Sequence, residues 1–239
     1  MTIIKSSEID KVYYNGEFYD AVYQGNEKIW PYPCLPDGYT LLNYLESTGT
    51  QVIDTQWRPT SGVFEYAVEW ESTKSQSGVS LMGARSNTPD VRRSGTFYFS
   101  GTNKAGVYIG QTSNIFQLPS ANTYVVGTRY FLDLEINEPT QTAKVKIHDE
   151  QKIVNIDSSA KFTGSTKVTN THTFFNATAE ASMGERGSFR IYNYKIWEDG
   201  YLARSFVPCL DANGKPCMYC LVTKKPYYNA YNATDFLYG

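Results

Sequence analysis

Residues 63–70 read Val-Phe-Glu-Tyr-Ala-Val-Glu-Trp, and their alternation decides the fold class. Phe64, Tyr66, Val68 and Trp70 fall on one side of an extended chain and Glu65 and Glu69 on the other, the period of a strand with one buried face. The rhythm returns in residues 130–136, where Tyr130, Leu132, Leu134 and Ile136 oppose Phe131, Asp133 and Glu135. Ala143, Val145 and Ile147 then alternate with Lys144, Lys146 and His148, with Asn137-Glu-Pro-Thr140 in the connection. That pattern predicts a hairpin with one wet face. Further strand candidates cover 79–85, 96–100, 106–110, 172–176 and 188–197. No stretch of about twelve residues keeps an apolar i, i+3, i+4 pattern. Many strands between Gly, Ser, Thr, Asn and Pro turns predict an all-β, two-sheet antiparallel sandwich.

Upstream, residues 11–30 read KVYYNGEFYDAVYQGNEKIW. Asn15-Gly16 supplies the positive φ that a tight hairpin turn needs, and Gly25-Asn26 punctuates the chain again, so a small three-stranded β-meander is expected. So small a sheet buries too little apolar area to stand alone. It must pack on the sandwich or on another subunit, and Tyr13, Tyr14, Phe18, Tyr19, Tyr23 and Trp30 are its candidate docking and oligomerisation residues. Pro31-Tyr-Pro-Cys-Leu-Pro36 resists helix and central strand and reads as the linker. The chain therefore divides into a module at 1–33 and a sandwich domain at 34–239.

The 239 residues include 20 Tyr against 12 Phe, which favours strands and surfaces that are apolar yet hydrogen-bonding. A formal charge of −2 without any Lys or Arg run argues against nucleic-acid binding. Residues 1–20 lack the apolar stretch of a secretory signal, and nothing approaches the roughly 18 apolar residues of a membrane-spanning helix. No membrane insertion is expected. Cys34, Cys209, Cys217 and Cys220 include one C-x-x-C, but a zinc site would need Cys34 from far upstream. Free thiols are the simpler expectation, with a Cys209–Cys217 disulfide left open, and no cofactor or metal is expected.

The two ends of the sandwich carry a resemblance. Residues 35–55, LPDGYTLLNYLESTGTQVIDT, are similar to the opening segment of concanavalin A-like (lectin/glucanase, LamG-like) jelly-roll domains in phage virion-associated proteins. Residues 191–209, IYNYKIWEDGYLARSFVPC, look like the same family's closing strand and its "FVPC" exit. The N-terminal module resembles Tyr- and Gly-punctuated modules of phage tail and appendage proteins. An ordinary extension of the sandwich edge is the alternative there. The resemblance implies a jelly roll and a non-enzymatic virion structural protein, a capsid decoration or a tail-appendage or fibre component. Its implied partners are other virion proteins, further copies of itself as a homotrimer, and bacterial surface polysaccharide. The expected location is the virion, after synthesis in the host cytoplasm.

Some relatives in this broad fold are glucanases, whose retaining chemistry needs two carboxyl groups about 5–5.5 Å apart on one strand face. The nearest candidates, Asp133-Leu-Glu135 and Glu69-Trp-Glu71, lack a third alternate carboxylate and read as solvated faces. A polysaccharide depolymerase is the alternative function. His148 and His172 sit beside no nucleophile motif. The loop Ser86-Asn-Thr-Pro-Asp90 carries one carboxylate, too few for a calcium site.

A sugar site combines an aromatic platform with polar groups at its rim. Trp57, Arg58, Arg85, Tyr98 and Tyr108 are the candidates. Tyr98 and Tyr108 are out of phase with Phe97, Phe99, Val107 and Ile109, so both face outward if those four face the core. Packing between the sheets or under the N-terminal module is the alternative. Asp54, in a turn, is assigned to loop fixation, and Trp197, alternating with Phe189, Ile191 and Lys195, to core or edge packing.

Overall fold

The computed structural model describes residues 12–14, 17–19, 22–24, 27–30, 35–86, 93–101, 104–110, 112–117, 124–151, 155–177 and 185–239. The chain divides into two compact units, Met1–Gly38 and Tyr39–Gly239. In the first, β1 (Val12–Tyr14) pairs with β2 (Glu17–Tyr19), and β3 (Val22–Gln24) with β4 (Glu27–Trp30). The strands expected in one meander are thus divided over two antiparallel ladders. The side chains of the six docking candidates lie outside the described residues, as does Cys34.

The second unit opens with three short strands, β5 (Thr40–Leu41), β6 (Leu45–Glu46) and β7 (Ile53–Asp54). The long strand β8 (Val63–Ser72) is followed by β9 (Val79–Gly83), β10 (Arg93–Gly101), β11 (Lys104–Gly110) and β12 (Thr112–Gln117). The expected hairpin forms from β13 (Arg129–Asn137) and β14 (Thr142–Asp149), extended by β15 (Asn155–Lys161) and followed by β16 (Thr173–Phe174). The chain ends with β17 (Phe189–Glu198), β18 (Tyr201–Leu210), β19 (Pro216–Cys220), β20 (Lys225–Tyr227) and β21 (Leu237–Tyr238). No helix occurs among the described residues, so none there is long and apolar enough to cross a membrane.

These strands form two antiparallel sheets, as the alternation predicts. The six-stranded sheet has the order β12-β11-β10-β9-β16-β7, and the larger sheet follows β15-β14-β13-β8-β17-β18-β19-β20. The opening segment joins the two: β5 and β6 pair in the larger sheet, and β7 closes an edge of the smaller. The far end returns to the same place, because β21 pairs with β6 and the Gly239 carbonyl accepts from the Asn43 and Tyr44 amides.

The inward faces meet in one core. Phe64, Tyr66, Val68 and Trp70 of β8 are buried, with Tyr130, Leu132, Leu134 and Ile136 of β13 beside them and Phe97, Phe99, Val107 and Ile109 across from them. At its centre the Trp70 ring touches Phe97, Phe99, Tyr124, Tyr130 and Phe189. Truncating so large a side chain to alanine costs about 3–5 kcal/mol. His172 is wholly buried in the same layer, its Nδ1 2.9 Å from the Tyr194 hydroxyl. Burial holds its pKa down to about 3, so it is neutral.

Two local features depart from simple alternation. In β17 the register slips between Ile191 and Asn193, a bulge that reverses the phase of the rest of the strand. Tyr194 and Ile196 therefore enter the core, while Lys195 and Trp197 turn outward, so the expected alternation of Trp197 with Phe189 and Ile191 does not hold. In β10 the register slips between Arg93 and Thr96, where Gly95 takes φ +64°. Cys209 and Cys217 sit opposite each other on β18 and β19 with their sulfurs 3.4 Å apart, and they and Cys220 are buried free thiols.

Candidate functional site

The outer face of the six-stranded sheet is built from the residues left over by core packing. With Phe97 and Phe99 directed inward, Tyr98 projects the other way, and the same holds for Tyr108 between Val107 and Ile109. Their rings meet edge to face at 5.5 Å. The bulge at Gly95 lets β10 begin with Arg93 over this face, its guanidinium 5.0 Å from the centre of the Tyr108 ring. Arg93 bridges back to Arg85, which follows β9. Arg85 Nη1 donates to Glu185 Oε1 at 2.7 Å, and the other Glu185 oxygen accepts from Ser80 Oγ at 3.0 Å. The Asn170 side chain donates to the Arg85 carbonyl and holds that end of the strand. Burial, and then the like charge of Arg85, hold the Arg93 pKa below its ordinary value.

The face thus offers two aromatic rings, one half-buried and one 9% exposed, beside two guanidiniums and a carboxylate. Three of the five predicted sugar-site residues, Arg85, Tyr98 and Tyr108, come together here. Trp57 and Arg58 do not join them. Trp57 is only 6% exposed and packs edge-on against Phe64 and Tyr66, with its indole N–H donating to Glu198 Oε2 at 3.1 Å. Glu198 also collects the Thr60 and Ser61 amides, so Trp57 belongs to the clasp of a turn. Arg58 is exposed and reaches the Thr169 carbonyl at 3.4 Å. Asp54 accepts the Gln56 amide, the loop-fixing role expected of it. Residues 87–90 of the loop weighed for calcium lie outside the described residues.

Sequence reasoning missed Arg93, Glu185 and Ser80. The Ser94-Gly95 turn signal was the available cue for Arg93. Glu185 lies in no strand and reaches the face only through tertiary pairing, its carbonyl accepting the Ser80 amide.

The larger sheet carries a second polar cluster on its outer face, where Glu69 and Glu71 were expected to be solvated. Each is only 8% exposed, because arginines and tyrosines from neighbouring strands lie over them. Arg190 Nε donates to Glu46 at 2.7 Å and its Nη1 to Glu71 at 2.9 Å. The Tyr192 hydroxyl donates to the second Glu71 oxygen at 2.8 Å, and Glu69 is held by Arg129 and the Asn193 amide. Arg129 lies 3.9 Å over the Tyr192 ring. Burial raises the Glu69 pKa, against Arg129. Beside this network opens a cavity of about 450 Å³ lined by Glu71, Thr128, Arg129, Asp149, Glu150 and Tyr192.

The other predicted carboxylate pair lies on the same sheet. Asp133 has its pKa raised by burial, and Glu135 binds Lys144 at 2.7 Å. No group of three or more His, Cys, Asp or Glu among the described residues is arranged to hold a metal ion.

No protein-family model and no curated protein sequence matches the chain. Among solved structures it is similar to a Trypanosoma rangeli sialidase in complex with sialic acid, at 11% identity and a TM-score of 0.47 over 65% of this chain and 25% of that one. It is also similar to a Bacteroides ovatus protein described as carbohydrate binding, at 9% identity and a TM-score of 0.48 over 81% and 53%. A third is peanut lectin with a nine-residue peptide, at 13% identity and a TM-score of 0.37 over 74% and 94%. The chain spans about a quarter and about half the length of the first two. Likeness at this level carries no argument about this chain's function, which rests on the site.

Proposed function

We propose that this chain is a non-enzymatic glycan-binding module, with the outer face of the six-stranded sheet as its site. The observation that carries this reading is the convergence of Tyr98, Tyr108, Arg85, Arg93 and Glu185 on one face. Rings supply a platform for the apolar side of a sugar, and the charged groups supply hydroxyl partners around it. The opening motif and the "FVPC" exit support the finer reading, a virion appendage or decoration protein that attaches to bacterial surface polysaccharide. Residues 1–33 are then the docking and trimerisation element, and repetition of weak sites in a trimer raises avidity.

The test is incubation of the full chain with a panel of bacterial surface polysaccharides, recording retained protein and released reducing ends. Retention without release, lost in Tyr98→Ala, is the expected result. A chain that is not retained on any polysaccharide would sink the adhesive reading. Deleting residues 1–33 is expected to abolish incorporation into particles and reduce a trimeric mass to a monomeric one.

A polysaccharide depolymerase is the second reading, favoured by one observation. Asp133, with its pKa raised by burial, stands two residues from Glu135 on one strand, and a raised carboxyl is what a general acid requires. Release of reducing ends that disappears in Asp133→Asn, with the fold intact, would replace the adhesive reading by this one.

A further inference from the structure

Among the described residues, Arg85, Arg93 and Glu185 on the outer face of the six-stranded sheet bring two positive charges to one negative. Among the described residues Glu185 is the one carboxylate that pairs with either Arg85 or Arg93, and both of its oxygens are already engaged, by Arg85 and by Ser80. No carboxylate pairs with Arg93 there, although it is half-buried and lies beside the like charge of Arg85. Arg85 Nε is buried and has no hydrogen-bond partner. Buried charges and donors are ordinarily paired, and a guanidinium with a donor left over is short of an acceptor such as an oxyanion. Its planar fork matches a carboxylate or a phosphate group through two parallel hydrogen bonds. The rings of Tyr98 and Tyr108 adjoin this donor set at 5.5 Å from each other, with Arg93 over the second.

Resting on the glycan-binding reading of this face, we infer that its ligand is an acidic saccharide, whose oxyanion is taken by Arg93 with Arg85 while Tyr98 and Tyr108 support the sugar ring. Neutral hydroxyls would leave the excess charge unanswered. An oxyanion balances it and supplies acceptors that water-exposed arginines obtain from solvent.

The experiment is an NMR titration of the full chain, following the Arg93 side-chain N–H and the Tyr98 ring signals. The probes are glucose and galactose, their uronic acids and their 6-phosphates. At least tenfold tighter binding of the acids than of the neutral sugars is expected, and the better of the two acid series identifies the anion as carboxylate or phosphate. Arg93→Gln is expected to level the acid and neutral affinities, and Arg93→Lys to retain part of the difference. Equal affinities in the wild-type chain, with Tyr98 signals still shifting, would overturn the acidic class and leave the glycan site standing. An acid preference that survives in folded Arg93→Gln would overturn the assignment to this face. No shift with any sugar would overturn both readings.

Discussion

On the outer face of the larger sheet three carboxylates, Glu46, Glu69 and Glu71, meet two guanidiniums, and each makes at least one ion pair. On the outer face of the six-stranded sheet two guanidiniums stand around one carboxylate among the described residues. The residue types are the same, but both guanidiniums of the first set are ion-paired to carboxylates, whereas Arg93 of the second pairs with none among the described residues. A closed network holds strands in register, whereas an open one has donors to spare for a ligand.

The largest effect should come from the bulge that shapes the open face. A Cβ on Gly95 would lie 2.6 Å from Tyr66 Cε2, in a backbone of φ +64°. Gly95→Ala is therefore expected to cost about 3 kcal/mol or more in urea unfolding, through overpacking and strain together, and to weaken sugar retention with it. Unchanged stability would mean that the bulge relaxes freely, and the open face would lose its structural cause.

The core between the two faces supplies a pH control. His172 is neutral when folded, with a pKa of about 3, and returns to about 6.5 when unfolded. The unfolded chain binds the extra proton, so stability falls as pH drops from 6.5 towards 3, by about 1.4 kcal/mol per unit. The raised carboxyls of Glu65, Glu69 and Asp133 act in the opposite sense, contributing stability at low pH that is lost as pH rises through their folded values. His172→Gln should flatten the acid limb of a Tm-against-pH curve. An acid limb as steep as that of the wild type would assign it to other groups.

Arg190→Ala tests the closed face. It removes both carboxylate contacts from a side chain that is about one-third exposed, so screening reduces the loss to about 1–3 kcal/mol, and sugar retention should not change. Lost retention at full stability would move the site to the larger sheet, beside its cavity. The smallest effect belongs to Arg58→Ala, expected within about 0.5 kcal/mol of wild-type stability and neutral for binding, because Arg58 stands apart from the Tyr98 cluster.

Much of this architecture is legible in the chain. The strands β8, β13 and β14 follow their alternation residue by residue, because each has one face on the core and one outside it. The phase of β17 is not legible, since a bulge adds one residue without a characteristic composition. Trp57 reads as a candidate sugar platform, yet Phe64, Tyr66 and Glu198 close over it in the folded chain. Glu69 and Glu71 read as wet for the opposite reason: their covers, Arg129, Arg190 and Tyr192, come from strands that only the folded sheet brings alongside. Tyr98 and Tyr108 were legible as a pair because their neighbours are unmistakably apolar, whereas Glu185 has no periodic context to mark it.

Because the Gly239 carbonyl is bonded to the Asn43 and Tyr44 amides, residue 239 and the opening strands of the sandwich meet at one spot, like a ring with a single clasp. Such a cassette can be spliced into a surface loop of another protein without stretching its host. It can also be reopened elsewhere: with residues 39 and 239 joined by a short Gly-Ser linker and the chain cut at the exposed Asp199-Gly200 turn, the permuted sandwich should fold with a Tm near that of the parent.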